Sequence, residues 1–238
     1  MLLHWIYPHL CELCHEPCEQ ELCPECRDRL PRVPLPICLY CGSPVAGDQQ
    51  DPYHCSHCRA MPRSFDFARS ALARSEAAMQ LVYALKYHRA NYLAKALGGL
   101  LNDLWEETPA LQAQQNWCLV PVPSGAGHLF KRGYNQAEEL ARALGKIRGL
   151  RVHSPLLRHA TGVDSQTRLS AAERRRNARA AYTLRKPDAK LSAPHIVLVD
   201  DVYTTGSTVR VCARLLKQLP GVKTVGVLTL LRAMRQSI

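Results

Sequence analysis

Nine of the eleven cysteines in this 238-residue chain lie between Cys11 and Cys58, and eight of them form four C-x-x-C pairs. The pairs are Cys11/Cys14, Cys23/Cys26, Cys38/Cys41 and Cys55/Cys58. A tight turn inside each pair brings both sulfurs to one side, where they can share an ion. Zinc favours four such ligands in a tetrahedron at about 2.3 Å. Eight residues separate the first two pairs and thirteen the last two, so sequential pairing gives two ribbon-like sites. An interleaved pairing, first with third, satisfies the count equally. Cys18, His15, His54 and His57 read as bystanders. So cysteine-dense a segment has no room for a core of its own, and two structural zinc ions are expected to supply most of its folding energy. Closed tetrathiolate sites leave no open position for a substrate.

Charge divides the chain at the same place. Residues 1–60 hold four Lys/Arg against eight Asp/Glu, and residues 61–238 hold 27 against 12, so the body is strongly basic and the head is not. Two parts are expected, 1–62 and 63–238, with the proline-rich "RLPRVPLPIC" as a stiff link between ribbons. No apolar run reaches 18 residues, so membrane insertion is not expected. "MLLHWIYPHL" lacks a cationic start and a long apolar stretch, which makes a cytoplasmic location the expectation.

The body alternates helical and extended patterns. Met79, Val82, Leu85 and then Leu93, Leu97, Leu100, Leu101 and Leu104 recur at helical spacing. "WCLVPVP", a short stretch near Val152, "HIVLVD" and "TVGVLTLL" read as strands, and "NQAEELARALGKI" as a helix with Asn135 as N-cap. Strands buried on both faces and separated by helices predict a parallel sheet in a three-layer α/β domain.

One strand runs into an unusual loop, "VLVDDVYTTGST", residues 197–208. In open parallel sheets ligands bind where strands end and helices begin. Gly206, Ser207 and Thr208 open the next helix, whose unpaired N–H groups suit a phosphate. Asp200 and Asp201 would repel that phosphate, so they must face something else. Vicinal sugar hydroxyls need acceptors, and a divalent ion needs carboxylates. The combination describes a ribose carrying a 5′-phosphate.

This stretch closely resembles the phosphoribosyl pyrophosphate (PRPP) motif of type I phosphoribosyltransferases. The resemblance implies that Asp200 and Asp201 take the ribose hydroxyls and that Thr204, Thr205, Gly206, Ser207 and Thr208 wrap the 5′-phosphate. It also implies Mg2+ with the PRPP and a pyrophosphate loop at "LVPVPSG", with Ser124 and Gly125 as contacts. If there is turnover, pyrophosphate is displaced at the anomeric carbon, with Asp200 or Asp201 as a catalytic base. The basic "QTRLSAAERRRN" stands where those enzymes carry a flexible loop. Gln166, Thr167, Arg168, Arg174, Arg175 and Asn177 are its candidate anion contacts, along with Lys131, Arg132, Asn135 and Gln136 from "KRGYNQ".

With the double ribbon in front, and "ALKYHR", "LVPVP", "KRGYNQA" and "SQTRLSAAERRRNARAAY" in order, the whole chain is similar to the ComF family of competence-associated proteins. That resemblance implies PRPP or ribose 5-phosphate as a ligand, single-stranded DNA as a further one, and a DNA-uptake or recombination protein as a partner. The alternative is an active phosphoribosyltransferase of nucleotide or carbohydrate-related metabolism with no DNA role, but no nucleobase pocket is legible. Aromatics make up only 6% of the chain. Tyr83, Tyr87, Tyr134 and Tyr182 lie near basic residues and are the candidates for stacking on bases.

Overall fold

The computed structural model describes residues 9–45, 54–59, 61–88, 90–160, 181–185, 191 and 193–233. Its elements, in chain order, are α1 (Pro24–Asp28), α2 (Ser56–Arg59), β1 (Phe67–Ala73), α3 (Glu76–Tyr87), α4 (Ala94–Glu106), α5 (Pro109–Gln112) and β2 (Trp117–Pro121). They continue with α6 (Ala126–Arg132), α7 (Gln136–Arg148), β3 (Leu157–His159), β4 (Tyr182–Leu184), β5 (His195–Tyr203), α8 (Ser207–Leu216) and β6 (Thr224–Arg232).

Local chemistry sets the helix ends. Ser75 caps α3 by accepting from the Ala78 N–H at 3.1 Å, and Asn135 caps α7 by accepting from the Ala137 N–H at 3.2 Å. Glu138 and Glu139 in the first turn of α7, and Lys146 and Arg148 in the last, complement the helix dipole.

Strands β1, β6, β5 and β2 form one parallel sheet in that order. Side chains alternate between its faces, as the pleat requires. Val197 and Val199 pack under α3, α4 and α7 with Leu85, Leu100 and Leu144. Ile196 and Leu198 pack under α8 with Val209, Cys212 and Leu216. The three-layer α/β architecture expected from the sequence is therefore present. Strand β1 was not legible, because "FARSALA" offers small residues without clean alternation. The expected strand near Val152 is a single parallel bridge to Leu119. Strands β3 and β4 pair antiparallel as a separate two-stranded sheet, which the sequence pattern did not suggest.

The head straddles the edge strand β1. The Ala73 N–H donates to Pro31 O at 2.8 Å and the Ala68 N–H to Tyr40 O at 2.7 Å, so residues 31–40 cover an otherwise open sheet edge. Cys11, Leu22 and Leu30 join the core beneath α3 and α4. Cys38, Tyr40, Cys41 and Cys58 join the core on the α8 side. Each ribbon thus packs on its own face of the sheet.

Candidate sugar-phosphate cleft and zinc centres

The cysteines gather sequentially: Cys11, Cys14, Cys23 and Cys26 in one group, and Cys38, Cys41, Cys55 and Cys58 in the other, each with its sulfurs within 4.8 Å of one another. Tetrahedral zinc with bonds of about 2.3 Å requires sulfurs about 3.8 Å apart. Cys14 and Cys23 lie at 3.9 Å and Cys41 and Cys55 at 3.7 Å, so the donor sets fit. These are two structural zinc sites. The second is embedded among arginines. Arg210, buried, reaches the Cys58 sulfur at 3.9 Å. Arg232, also buried, donates to Cys41 O at 2.5 Å and reaches the Cys41 sulfur at 3.6 Å. A tetrathiolate zinc centre carries a net negative charge, which these guanidinium groups offset.

The second feature is a cleft of about 320 Å³ at the carboxyl ends of β2 and β5. Pairing of β2 with β5 ends at Pro121 and Val199. One more bond, from the Val122 N–H to Val199 O at 2.9 Å, follows before Pro123 turns the chain away. Asp200 and Asp201 therefore run on past their neighbour and line open space. From here β2 leads into α6 and α7 on one face, while β5 leads into α8 on the other. Ligand crevices of parallel sheets form at such divergences.

The two carboxylates point to opposite sides of the strand. Asp201 pairs with Lys86 of α3, Nζ to Oδ2 at 3.0 Å. Asp200 Oδ1 accepts from the Asp201 N–H at 2.9 Å. Burial first, and then the charge of Asp201, push the Asp200 pKa well above the carboxylate range. The native state therefore holds this proton more tightly than the unfolded chain. Its stability falls as pH rises from the unfolded carboxylate value through the raised native one. Asp200→Asn is expected to remove that dependence and raise the midpoint of unfolding at neutral pH by a few degrees, about 2–4 °C per kcal/mol recovered. Thermal melts across pH check this, and an unaltered pH profile would count against it.

Opposite the carboxylates stand donors. Ser124 Oγ donates to Asn135 Oδ1 at 2.9 Å, and Asn135 Nδ2 to Val122 O at 2.9 Å, tying the loop after β2 to the start of α7. Gln136 is 2% exposed and lines the cleft, and its Nε2 is buried without a partner among the described residues. A buried amide donor is costly unless something occupies the space before it. Gly125, Arg132, Asn135 and Thr208 line the same cleft. Lys131 is exposed outside the lining. Thr204 and Thr205 line a separate cavity of about 550 Å³ beside the second zinc site. Gly206 has a φ of +75° and Ser207 begins α8. Gln166, Thr167, Arg168, Arg174, Arg175 and Asn177 lie outside the described residues.

Four polar residues of the cleft were absent from the expected site: Lys86, His128, His159 and Tyr182. Lys86 stood inside "ALKYHR", and Tyr182 was considered only for stacking. Burial first, and then neighbouring Arg132, Lys131, His159 and Lys86, lower the pKa of His128, marking this wall as electropositive. Burial pushes Tyr182 up to about 12.

The double zinc ribbon family matches residues 2–61. Over 233 residues the chain is 32% identical to the DNA utilization protein YhgH of Salmonella typhimurium, covering 95% of this chain and 98% of that one. It is 28% identical to Competence protein F of Haemophilus influenzae over 213 residues, 89% and 90% of the two chains. To Competence protein ComFC of Bacillus subtilis it is 24% identical over 221 residues, 90% and 85% of the two. With near-complete coverage, the expected double ribbon and the expected parallel α/β body, the chain belongs to the ComF family.

Proposed function

We propose that the cleft binds the ribose 5-phosphate unit of PRPP with Mg2+, in a cytoplasmic protein that handles single-stranded DNA. The observation that carries the sugar-phosphate reading is the segregation of the cleft lining. Acceptors Asp200 and Asp201 project from β5, while Gln136 Nε2, which has no partner among the described residues, and the Ser124 hydroxyl face the same space from the β2 side. The carboxylates accept from the ribose hydroxyls. The start of α8 takes the 5-phosphate, and Ser124, Gly125 and Gln136 take the pyrophosphate. Ribose binding displaces Lys86 from Asp201, and the freed ammonium turns to the pyrophosphate charge. Mg2+ supplies charge neutralisation at the leaving group when bound. In a transfer reaction the bond from the anomeric carbon to the pyrophosphate oxygen breaks as an acceptor's lone pair forms the new one, and Asp201 receives the acceptor's proton, because Asp200 is the member of the pair held protonated.

The DNA reading rests on the names of the relatives, which speak of DNA utilization and competence, and on charge. Residues 61–238 carry 27 basic against 12 acidic residues, which favours a phosphodiester backbone with strong salt dependence.

Calorimetric titration of the zinc-loaded protein with PRPP and Mg2+, repeated on Asp201→Asn, tests the cleft. The variant is expected to bind about 10- to 100-fold more weakly, the worth of one charged hydrogen-bonding group, with single-stranded DNA affinity unchanged. A folded wild-type protein that takes up no PRPP would remove the sugar-phosphate reading and leave the DNA one standing.

A further inference from the structure

Aromatic side chains at the mouth of the cleft are arranged in a way that the sugar-phosphate site does not use. Tyr83 and Tyr87 project from successive turns of α3 with ring centroids 4.7 Å apart, and they are 54% and 57% exposed. His88 meets Tyr83 edge-on at 5.2 Å. The Arg132 guanidinium sits 5.0 Å from the Tyr87 ring, and Arg132 also lines the cleft. Lys86, between the two tyrosines in sequence, reaches Asp201. The other two stacking candidates are otherwise engaged. Tyr134 donates its hydroxyl to Leu85 O at 2.5 Å, and Tyr182 packs edge-on against His159 at 5.0 Å inside the cleft.

Two large exposed rings, side by side on one helix, leave apolar area in water that a monomer would ordinarily cover. Their surroundings are cationic, with Lys86, Lys131 and Arg132 all close enough to depress the pKa of His128. Flat π-faces beside fixed positive charge suit a ligand that is both planar and anionic. An apolar helix from another protein would leave the cations unpaired, whereas an unpaired nucleotide satisfies both features, its base on the ring and its phosphate on the arginine.

We propose that Tyr83 and Tyr87, flanked by Arg132, form a base-stacking platform that holds an unpaired nucleotide of single-stranded DNA at the entrance to the cleft. This rests on the reading that the protein binds single-stranded DNA, and it places that strand against the sugar-phosphate site rather than on the ribbons. Arg132 is the residue common to both features, so a nucleotide on the platform and PRPP in the cleft are neighbours.

The test compares a fluorescent oligothymidylate with an abasic strand of equal length and charge, by anisotropy, on wild-type protein and on Tyr83→Ala/Tyr87→Ala and Tyr83→Phe/Tyr87→Phe. Wild type is expected to prefer the base-bearing strand by roughly tenfold or more. The alanine pair should lose that preference and the phenylalanine pair keep it, since stacking needs the ring and not the hydroxyl. The salt slope should be the same in all three, because no phosphate contact is removed. PRPP titration of each variant reports an intact body. Equal affinity of wild type for both strands, or a preference that survives the alanine pair, overturns the platform while leaving DNA binding in place. No affinity for either strand overturns the platform and the DNA reading together.

Discussion

Stripping zinc is expected to lower the thermal midpoint of the whole protein by more than about 10 °C, not merely to unravel its first sixty residues. The ribbons are built into both cores: Leu22 and Leu30 lie beneath α3 and α4, and Tyr40 stacks on Phe65 at 4.4 Å on the other face. Without a cation, the clustered sulfurs cannot all ionise: a hydrogen bond from Cys38 holds Cys41 well below the usual thiol range, while its neighbours are raised. Burial and then the charge of Cys41 push Cys58 up to about 12, and burial and its neighbouring cysteines push Cys26 to about 12. The ion displaces those protons, so its affinity falls with acidity. The second site should matter more than the first, because Arg210 and Arg232 are buried beside it. Losing the metal protonates most of the cluster and leaves two buried guanidinium groups with less negative charge to face, an arrangement that costs several kcal/mol when charges are buried. Circular dichroism melts before and after chelation, with released zinc counted colorimetrically, should show two equivalents per chain. Cys58→Ser should lower the midpoint further than Cys14→Ser, whose sulfur is exposed. A melt unchanged after both ions are released would mean the sulfurs hold the fold without metal.

Gly206→Val is expected to destabilise the protein by about 2–4 kcal/mol and, under the proposed sugar-phosphate reading, to remove measurable PRPP binding. A φ of +75° is strained for any branched residue. Space makes it worse, since a Cβ there would stand 2.3 Å from Tyr203 Oη and 2.6 Å from Cζ. Tyr203 cannot retreat: it is 3% exposed, its ring meets Phe65 edge-on, and Arg232 lies 4.1 Å from its centroid. The start of α8 would have to shift instead, taking the backbone groups of Ser207 and Thr208 with it. Adding Tyr203→Phe to Gly206→Ala should recover only part of the stability, because the ring carbon remains in the way. Gly127→Ala is the control, at a helical position where a Cβ meets nothing within 4 Å among the described residues, and should be neutral or slightly stabilising. Denaturant unfolding together with calorimetry separates the two effects. Full PRPP affinity in a folded Gly206→Val protein would mean that α8 does not hold the phosphate.

The same chain of contacts links the two predictions. Arg232 touches Cys41 on one side and Tyr203 on the other, and Tyr203 lies under Gly206. The second zinc site is therefore part of what fixes the geometry of the loop opening α8.

Much of this was legible along the chain. The C-x-x-C spacing specifies tetrathiolate zinc because the turn within each pair sets where both sulfurs go. Four buried apolar residues running into Asp200 and Asp201, with Gly206 six residues on, mark a strand–loop–helix because each step rests on local backbone chemistry. Asn135 announced itself as a cap for the same reason. What could not be read depended on residues far apart in sequence. The counts allowed two cysteine pairings, and sulfur distances chose the sequential one. Strand β1 has no periodic signature, and its partner Gly226 lies more than 150 residues from Phe67. Lys86 became a partner of Asp201, and Gln136 an orphaned donor, only when α3 and α7 packed onto one face of the sheet. The packing of the ribbons on opposite faces was likewise hidden, since charge and composition separate head from body while the contacts join them. The sequence by itself determined the chemistry of the sites, through local turns and caps; tertiary structure decided which groups share a cleft, because burial and long-range packing set those distances.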